Sequence, residues 1–207
     1  MKIPYVDLKL QWAEERDELL PIIDNILSEA NHVGGKEINI FEDNIKNIVK
    51  SKHAIALNSG TDALTLGLHL LGVKAGDEVI TPPNSFIAST GVIVHLGAKP
   101  IFVDVKDDQL IDPTKIEACI TKKTKAIMPV HLTGRMCDME SIMKISEKYN
   151  IPVIEDAAQS IGSTYKGKPA GSIGHIGCFS GHPLKNLNAF GDAGYLTTDD
   201  SEIASKV

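Results

Sequence analysis

The chain has 207 residues, 43% of them apolar and 23% charged, with no low-complexity run, so it can bury one substantial core and is neither disordered nor fibrous in composition. Its formal charge of -6 argues against a general nucleic-acid partner: a phosphate backbone requires a basic face, and the small cluster Lys122-Lys123-Thr124-Lys125 is too short to supply one. The three cysteines, Cys119, Cys137 and Cys178, form no CxxC and no zinc-ligand spacing, the start lacks a signal-peptide pattern, and no apolar run approaches the roughly 18 residues of a membrane span. A cytoplasmic protein with reduced thiols, no metal and no membrane partner is expected.

Residues 1–50 read as a polar-faced helical arm, with Pro21 and the Gly34-Gly35 pair as the punctuation between two short helices. From His53 onward the pattern changes to short, nearly continuous apolar runs separated by helix-length segments. These runs are HAIAL from His53, EVIT from Glu78, PIFVD from Pro100, KAIMPV from Lys125, PVIED from Pro152, HIGCFS from His175 and GYLTT from Gly194. Strands buried on both faces read this way, and the helical stretches between the first five, such as Thr61 to Leu71 and Asp138 to Tyr149, make the crossovers. Asp112-Pro113 has the residue types of a cap and first helical turn. Residues 51–207 are therefore expected to form an α/β domain, a mostly parallel seven-stranded wound sheet flanked by helices. The sixth and seventh runs are joined by the irregular stretch SGHPLKNLNAFGDAG, which leaves the last strand able to return antiparallel. Val207 falls inside a helix predicted to start near Asp200, and a truncated protein is expected.

Ligands of a wound sheet sit beyond the carboxyl ends of its strands, and four marked segments fall there. Asn58-Ser59-Gly60-Thr61 opens a helix, where free N–H groups, the helix dipole and a hydroxyl can hold a phosphate; the alternative is an ordinary cap. In TPPNSFIAS, Phe86 can offer a flat face to a bound ring, or be a core residue. In Glu155-Asp156-Ala157-Ala158-Gln159 two acids end an apolar strand; buried carboxylates need a partner or a ligand cation, and the alternative is an N-cap by Asp156. The last segment places Ser180, His182 and Lys185 in one tight loop, against the ordinary reading of a lysine as a solvated charge. A phosphate cradle, an aromatic plate, an acid and an amine together suit an aldehyde-bearing pyridine phosphate. Neither GxGxxG nor GxxxxGK[ST] occurs, which disfavours a nicotinamide-dependent dehydrogenase on a similar sheet.

The blocks NSGTDAL, GDEVITPPNSF, GAKPIFVDV, HLTGRMCDM, VIEDAAQSIGS and SGHPLKNLNAFGDAG, in this order, resemble the DegT-type sugar aminotransferases, fold-type-I pyridoxal-phosphate enzymes that act on nucleotide-linked keto sugars. The resemblance runs from Ile3 to the end. It implies pyridoxal 5'-phosphate as cofactor, Lys185 as its covalent anchor through an internal aldimine, Asp156 facing the pyridine nitrogen and Phe86 stacked on the ring. It implies that Gly60, Thr61 and Ser180 hold the phosphate and that Gln159 lies near the phenolic oxygen. It further implies a homodimer, an amino-acid donor such as glutamate or glutamine, and a keto-sugar acceptor. Two departures are Ser85, where Thr is common, and Gly181, where a bulky residue often precedes His-Pro. A related class of sugar dehydratases has His in place of the anchoring lysine, so Lys185 favours amino transfer. Family members are close to twice as long and carry a smaller C-terminal domain. The alternative expectation is therefore a non-catalytic or incomplete fragment that needs that domain.

Overall fold

The computed structural model describes residues 3–207. The chain divides into two compact units, one ending at Phe41 and the other spanning Glu42–Val207. In the first, helix α1 (Leu8–Ser28) starts where Asp7 Oδ1 accepts the Leu10 N–H at 3.0 Å. It then runs through Pro21 as one 21-residue helix with no buried residue. The expected break at Pro21 does not occur. Pro21 removes one backbone bond, but DELL before it and IIDNIL after it both favour helix, and the missing bond costs less than ending the helix there. The break falls instead at Gly34 and Gly35, whose φ values of +76° and +105° suit glycine. Helix α2 (Lys36–Val49) follows and buries Ile45 and Val49 in its second half.

The second unit alternates strands and helices: β1 (His53–Leu57), α3 (Gly60–Leu70), β2 (Glu78–Thr81), α4 (Ile87–His95), β3 (Lys99–Phe102), α5 (Pro113–Ile116), β4 (Thr124–Ile127), α6 (Met139–Tyr149) and β5 (Ile154–Asp156). A small hairpin, β6 (Thr164–Tyr165) and β7 (Lys168–Pro169), precedes β8 (Ile176–Ser180), β9 (Gly194–Thr198) and α7 (Ser201–Ala204). All seven apolar runs became strands. Side-chain caps start the helices as the residue types require: Ser59 accepts from Asp62 N, Asp112 from Thr114 N, Asp138 from Ser141 N, and Asp200 from Glu202 N and Ile203 N.

Hydrogen bonding gives the strand orders β1-β9-β8-β5 and β3-β2-β4. Parallel bridges Ile127↔Val153 and Val130↔Asp156 join β4 to β5, so the wound sheet reads β1-β9-β8-β5-β4-β2-β3. Its ladders are parallel except those of β9, which runs antiparallel to both β1 and β8. Successive strand residues feed opposite faces, as a period of two demands. Val79, Ala126 and Ile154 pack with α3 and α4 through Ala63, Leu64, Leu68, Val92 and Ile93. Ile80, Ile127 and Val153 pack with α5 and α6 through Ile116, Met139, Ile142 and Ile145. The sheet is thereby covered on both faces, and only the loops at strand ends are left for chemistry.

Candidate active site

Leu57 at the end of β1 and Ser180 at the end of β8 both pair with Gly194, the first residue of β9. Asp156 at the end of β5 pairs with Cys178 on β8, two residues before Ser180. The sheet thus carries three of the four marked segments to neighbouring strand ends, and Ser89 on α4 brings in the fourth.

Ser59 is extended and spends its hydroxyl on the Asp62 N–H at 3.0 Å, while its carbonyl takes the Ala63 N–H. The Gly60 and Thr61 N–H groups in the first turn have no intrahelical acceptor, as at any helix start. Gly60 answers to more than ligand approach: a Cβ there would stand 2.7 Å from Ser180 Cβ and 3.1 Å from Ser180 Cα. A Cβ at Gly194 would stand 2.2 Å from the Ser59 carbonyl carbon. Two glycines therefore let the start of α3 lie directly on the β8–β9 junction, which sets Ser180 beside Gly60. Thr61 is exposed at the same helix start.

Asp156 is buried, 5% exposed, and it caps no helix; its Oδ1 accepts the Ala158 N–H at 3.2 Å in a turn. Oδ2 accepts from Ser89 Oγ at 2.7 Å. Burial pushes the carboxyl above its ordinary value, opposed by the Ser89 and Ala158 donors and by the positive charge of Lys185. Lys185 is half-buried in the 181–193 connection, where desolvation draws its amine below the ordinary range and Asp156 acts against that. Asp156 ends β5 and Lys185 follows β8, the strand that pairs parallel with β5, so acid and amine belong to the same end of the sheet. The His182 ring is spent on its own loop, with Nδ1 accepting the Leu184 N–H at 3.2 Å.

Phe86 is 71% exposed at the cap position of α4, which overturns its reading as a core residue. Gln159 is exposed on the turn that follows Asp156. The acid before Asp156 has a different fate. Glu155, fully buried, accepts the Gly171, Ile173 and Gly174 N–H groups at 2.9, 2.8 and 2.5 Å, and lies 2.9 Å from His131 Nε2. Those donors hold its carboxyl below the ordinary value against burial. Burial resists a charge on His131 and Glu155 promotes one, pushing the ring up to about 10. Yet the Cys137 N–H points at Nδ1 from 3.2 Å and needs a lone pair there, so we take the ring as neutral, donating from Nε2. Neither His131 nor Ser89 stands out in the sequence. The available signals were a histidine directly after an apolar strand and a serine one helical turn beyond Ser85.

These groups fit a pyridine phosphate. Asp156 is a buried acid with acceptor capacity left over, Lys185 an amine of lowered basicity, Phe86 an uncovered aromatic face, and the α3 start beside Ser180 a set of free donors. Two open grooves of about 500 and 300 Å³ lie elsewhere, and none of the predicted site residues lines either.

The sequence model of the DegT/DnrJ/EryC1/StrS aminotransferase family matches residues 13–207, and the chain belongs to that family. A pleiotropic regulatory protein of Geobacillus stearothermophilus is 42% identical over 207 residues, covering 100% of this chain and 56% of the relative. The UDP-N-acetyl-3-dehydro-alpha-D-glucosamine 3-aminotransferase of Acidithiobacillus ferrooxidans is 45% identical over 207 residues, covering 99% of this chain and 56% of its own length. The structure of ntda from Bacillus subtilis with bound cofactor PMP superposes with a TM-score of 0.93 at 38% identity, covering 99% of this chain and 47% of that one. The chain thus spans about half the length of the relatives it matches. Among the described residues no helix is long and apolar enough to cross a membrane.

Proposed function

We propose that residues 51–207 are the cofactor-binding domain, and residues 1–50 the arm, of a pyridoxal-phosphate-dependent aminotransferase. Its amino donor is an amino acid, glutamate or glutamine, and its acceptor a nucleotide-linked keto sugar. The observation that carries this reading is the buried Asp156 carboxyl at the end of β5, held by Ser89 and Ala158, with the half-buried Lys185 in the connection that leaves the adjacent strand β8. The names of the Acidithiobacillus relative and of the PMP-bound Bacillus structure support the sugar acceptor and the cofactor. A cytoplasmic homodimer accompanies the reading, supported by the family resemblance and by three unpaired cysteines.

When bound, pyridoxal phosphate supplies an aldehyde and an electron-withdrawing ring. Lys185 Nζ would hold it covalently, and the same amine, when neutral, would move a proton at the reacting carbon. Desolvation works in that direction. Asp156 would meet the ring nitrogen, its negative charge favouring the protonated form there. Gly60 and Thr61 bind the phosphate through the start of α3, together with the Ser180 hydroxyl. Phe86 would offer its exposed ring to one face of the cofactor, and Gln159 would serve its phenolic oxygen.

The purified protein mixed with pyridoxal phosphate is expected to show visible absorption that fades on adding the amino donor. Borohydride should trap the cofactor on the protein, and Lys185→Ala should abolish both signals. An undiminished adduct in that variant overturns the lysine assignment. A second reading, a binding or regulatory module without turnover, draws support from the name of the Geobacillus relative. Cofactor uptake with no amino transfer to any keto sugar tested would favour it.

A further inference from the structure

Ser89 sits in the first turn of α4, 1% exposed, among apolar neighbours that include Val92 and Ile93. Its Oγ donates to Asp156 Oδ2 at 2.7 Å and lies 2.6 Å from Ser85 Oγ. A hydroxyl has one proton to give. An ionised carboxylate only accepts, so the Ser89 proton is committed to Asp156 and the Ser85 hydroxyl must donate to Ser89. The charge on Asp156 thereby sets the direction of both bonds. With Ala158 N–H on Oδ1, each oxygen of the carboxylate is held by one donor, and the remaining lone pairs are free to meet a ligand.

We propose that Ser89, supported by Ser85, is a positioning residue that orients the Asp156 carboxylate and favours its ionised form opposite the cofactor ring nitrogen. The proposal rests on the functional reading above. The ionisable groups that act on the acid are Lys185 from the 181–193 connection and His131 after β4; Cys178 with its thiol pairs beside it on β8, and Glu155 precedes it on the opposite face of β5. Lys185 supports the charge, while Glu155 is engaged by its own donors and His131 by Glu155. The thiol is itself pushed well up by burial, so it adds no charge at neutral pH. Ser89 is the side-chain donor that touches the carboxylate.

The test compares wild-type protein with Ser89→Ala, Ser89→Thr and Ser85→Ala by carbon-detected NMR titration of the Asp156 carboxyl in the cofactor-free state, with Asp156→Asn identifying its signal. Ser89→Ala should raise the Asp156 midpoint by about one pH unit or more, as loss of a hydrogen bond to a charged group implies. Ser89→Thr should restore it, and Ser85→Ala should raise it by a smaller amount. An Asp156 midpoint equal to wild type in Ser89→Ala overturns the proposal, as does failure of the threonine to restore it. If Ser89→Ala does not fold, an unchanged midpoint in Ser85→Ala overturns it instead. The functional reading is scored separately, by borohydride trapping of pyridoxal phosphate on Lys185 in wild-type protein. Loss of that adduct with the titration as expected removes the cofactor role and leaves only the hydrogen bond.

Discussion

Glu155 and Asp156 are neighbours on one strand, and alternation turns them to opposite faces of the sheet, where they meet opposite surroundings. Glu155 lies on the α6 side and has four donors around its two oxygens: three backbone N–H groups and the His131 ring. A carboxylate has about four lone-pair sites, so this acid is saturated by the protein itself. Asp156 lies on the α4 side with two donors, Ser89 and Ala158. Burial raises its proton affinity, whereas the donors of Glu155 lower that of the neighbouring group. The contrast separates an acid saturated by the protein from one that is not. Glu155 ties the 171–174 loop and the segment after β4 to β5, while Asp156 is left with acceptor capacity that the protein does not fill.

The largest expected effect breaks the functional side of this contrast. Asp156→Asn removes an anion worth up to about 4 kcal/mol beside a pyridinium at an effective dielectric near 20, so amino transfer should fall roughly a thousandfold. Cofactor should remain bound through its phosphate. Single-turnover kinetics on the loaded protein measure the loss, and full turnover by this variant would refute the role given to the acid.

On the structural side, Glu155→Gln places an amide N–H against backbone donors and should destabilise the fold by about 3 kcal/mol in urea unfolding. The two acids also have opposite pH signatures. The folded-state pKa of Glu155 is depressed, so its contribution is present above the unfolded value and lost as pH falls through the folded one. That of Asp156 is raised, so the folded state holds its proton longer and stability declines as pH rises through the folded pKa. Asp156→Asn should accordingly stabilise the cofactor-free protein at neutral pH, the sign opposite to Glu155→Gln. Equal signs in the two unfolding curves would dissolve the distinction.

The smallest effect concerns Phe86. Because it is 71% exposed, Phe86→Ala should change cofactor-free stability by less than about 0.5 kcal/mol. Its loss of ring contact should weaken pyridoxal-phosphate binding by about 1 kcal/mol, roughly fivefold, in a fluorescence titration. A stability loss with unchanged cofactor affinity would return Phe86 to a packing role.

The strands were legible because HAIAL, EVIT and GYLTT are apolar runs of strand length, and the cap at Asp112 because an acid directly before a proline suits a helix start, whereas Ser59 stayed open between a cap and a phosphate cradle. Pro21 misled, since a local helix breaker is overruled when both flanks favour helix. The motif residues could be named one by one, but not their contacts. Ser89 reaches Asp156 across 67 positions of sequence and His131 reaches Glu155 across 24, and nothing local marks either pair. Gly60 was read as part of a phosphate-holding segment, whereas the fold also needs it for the close approach of Ser180.

From the sequence by itself came the α/β class, seven strands and the residue types of the site, since periodicity, capping and turn chemistry act within a few neighbouring residues. Only the tertiary structure decided the order β1-β9-β8-β5-β4-β2-β3, the direction of β9 and which acid is saturated. Those outcomes depend on which strand ends meet across the sheet and on how many donors converge on a buried oxygen, and both are properties of chain segments distant in sequence.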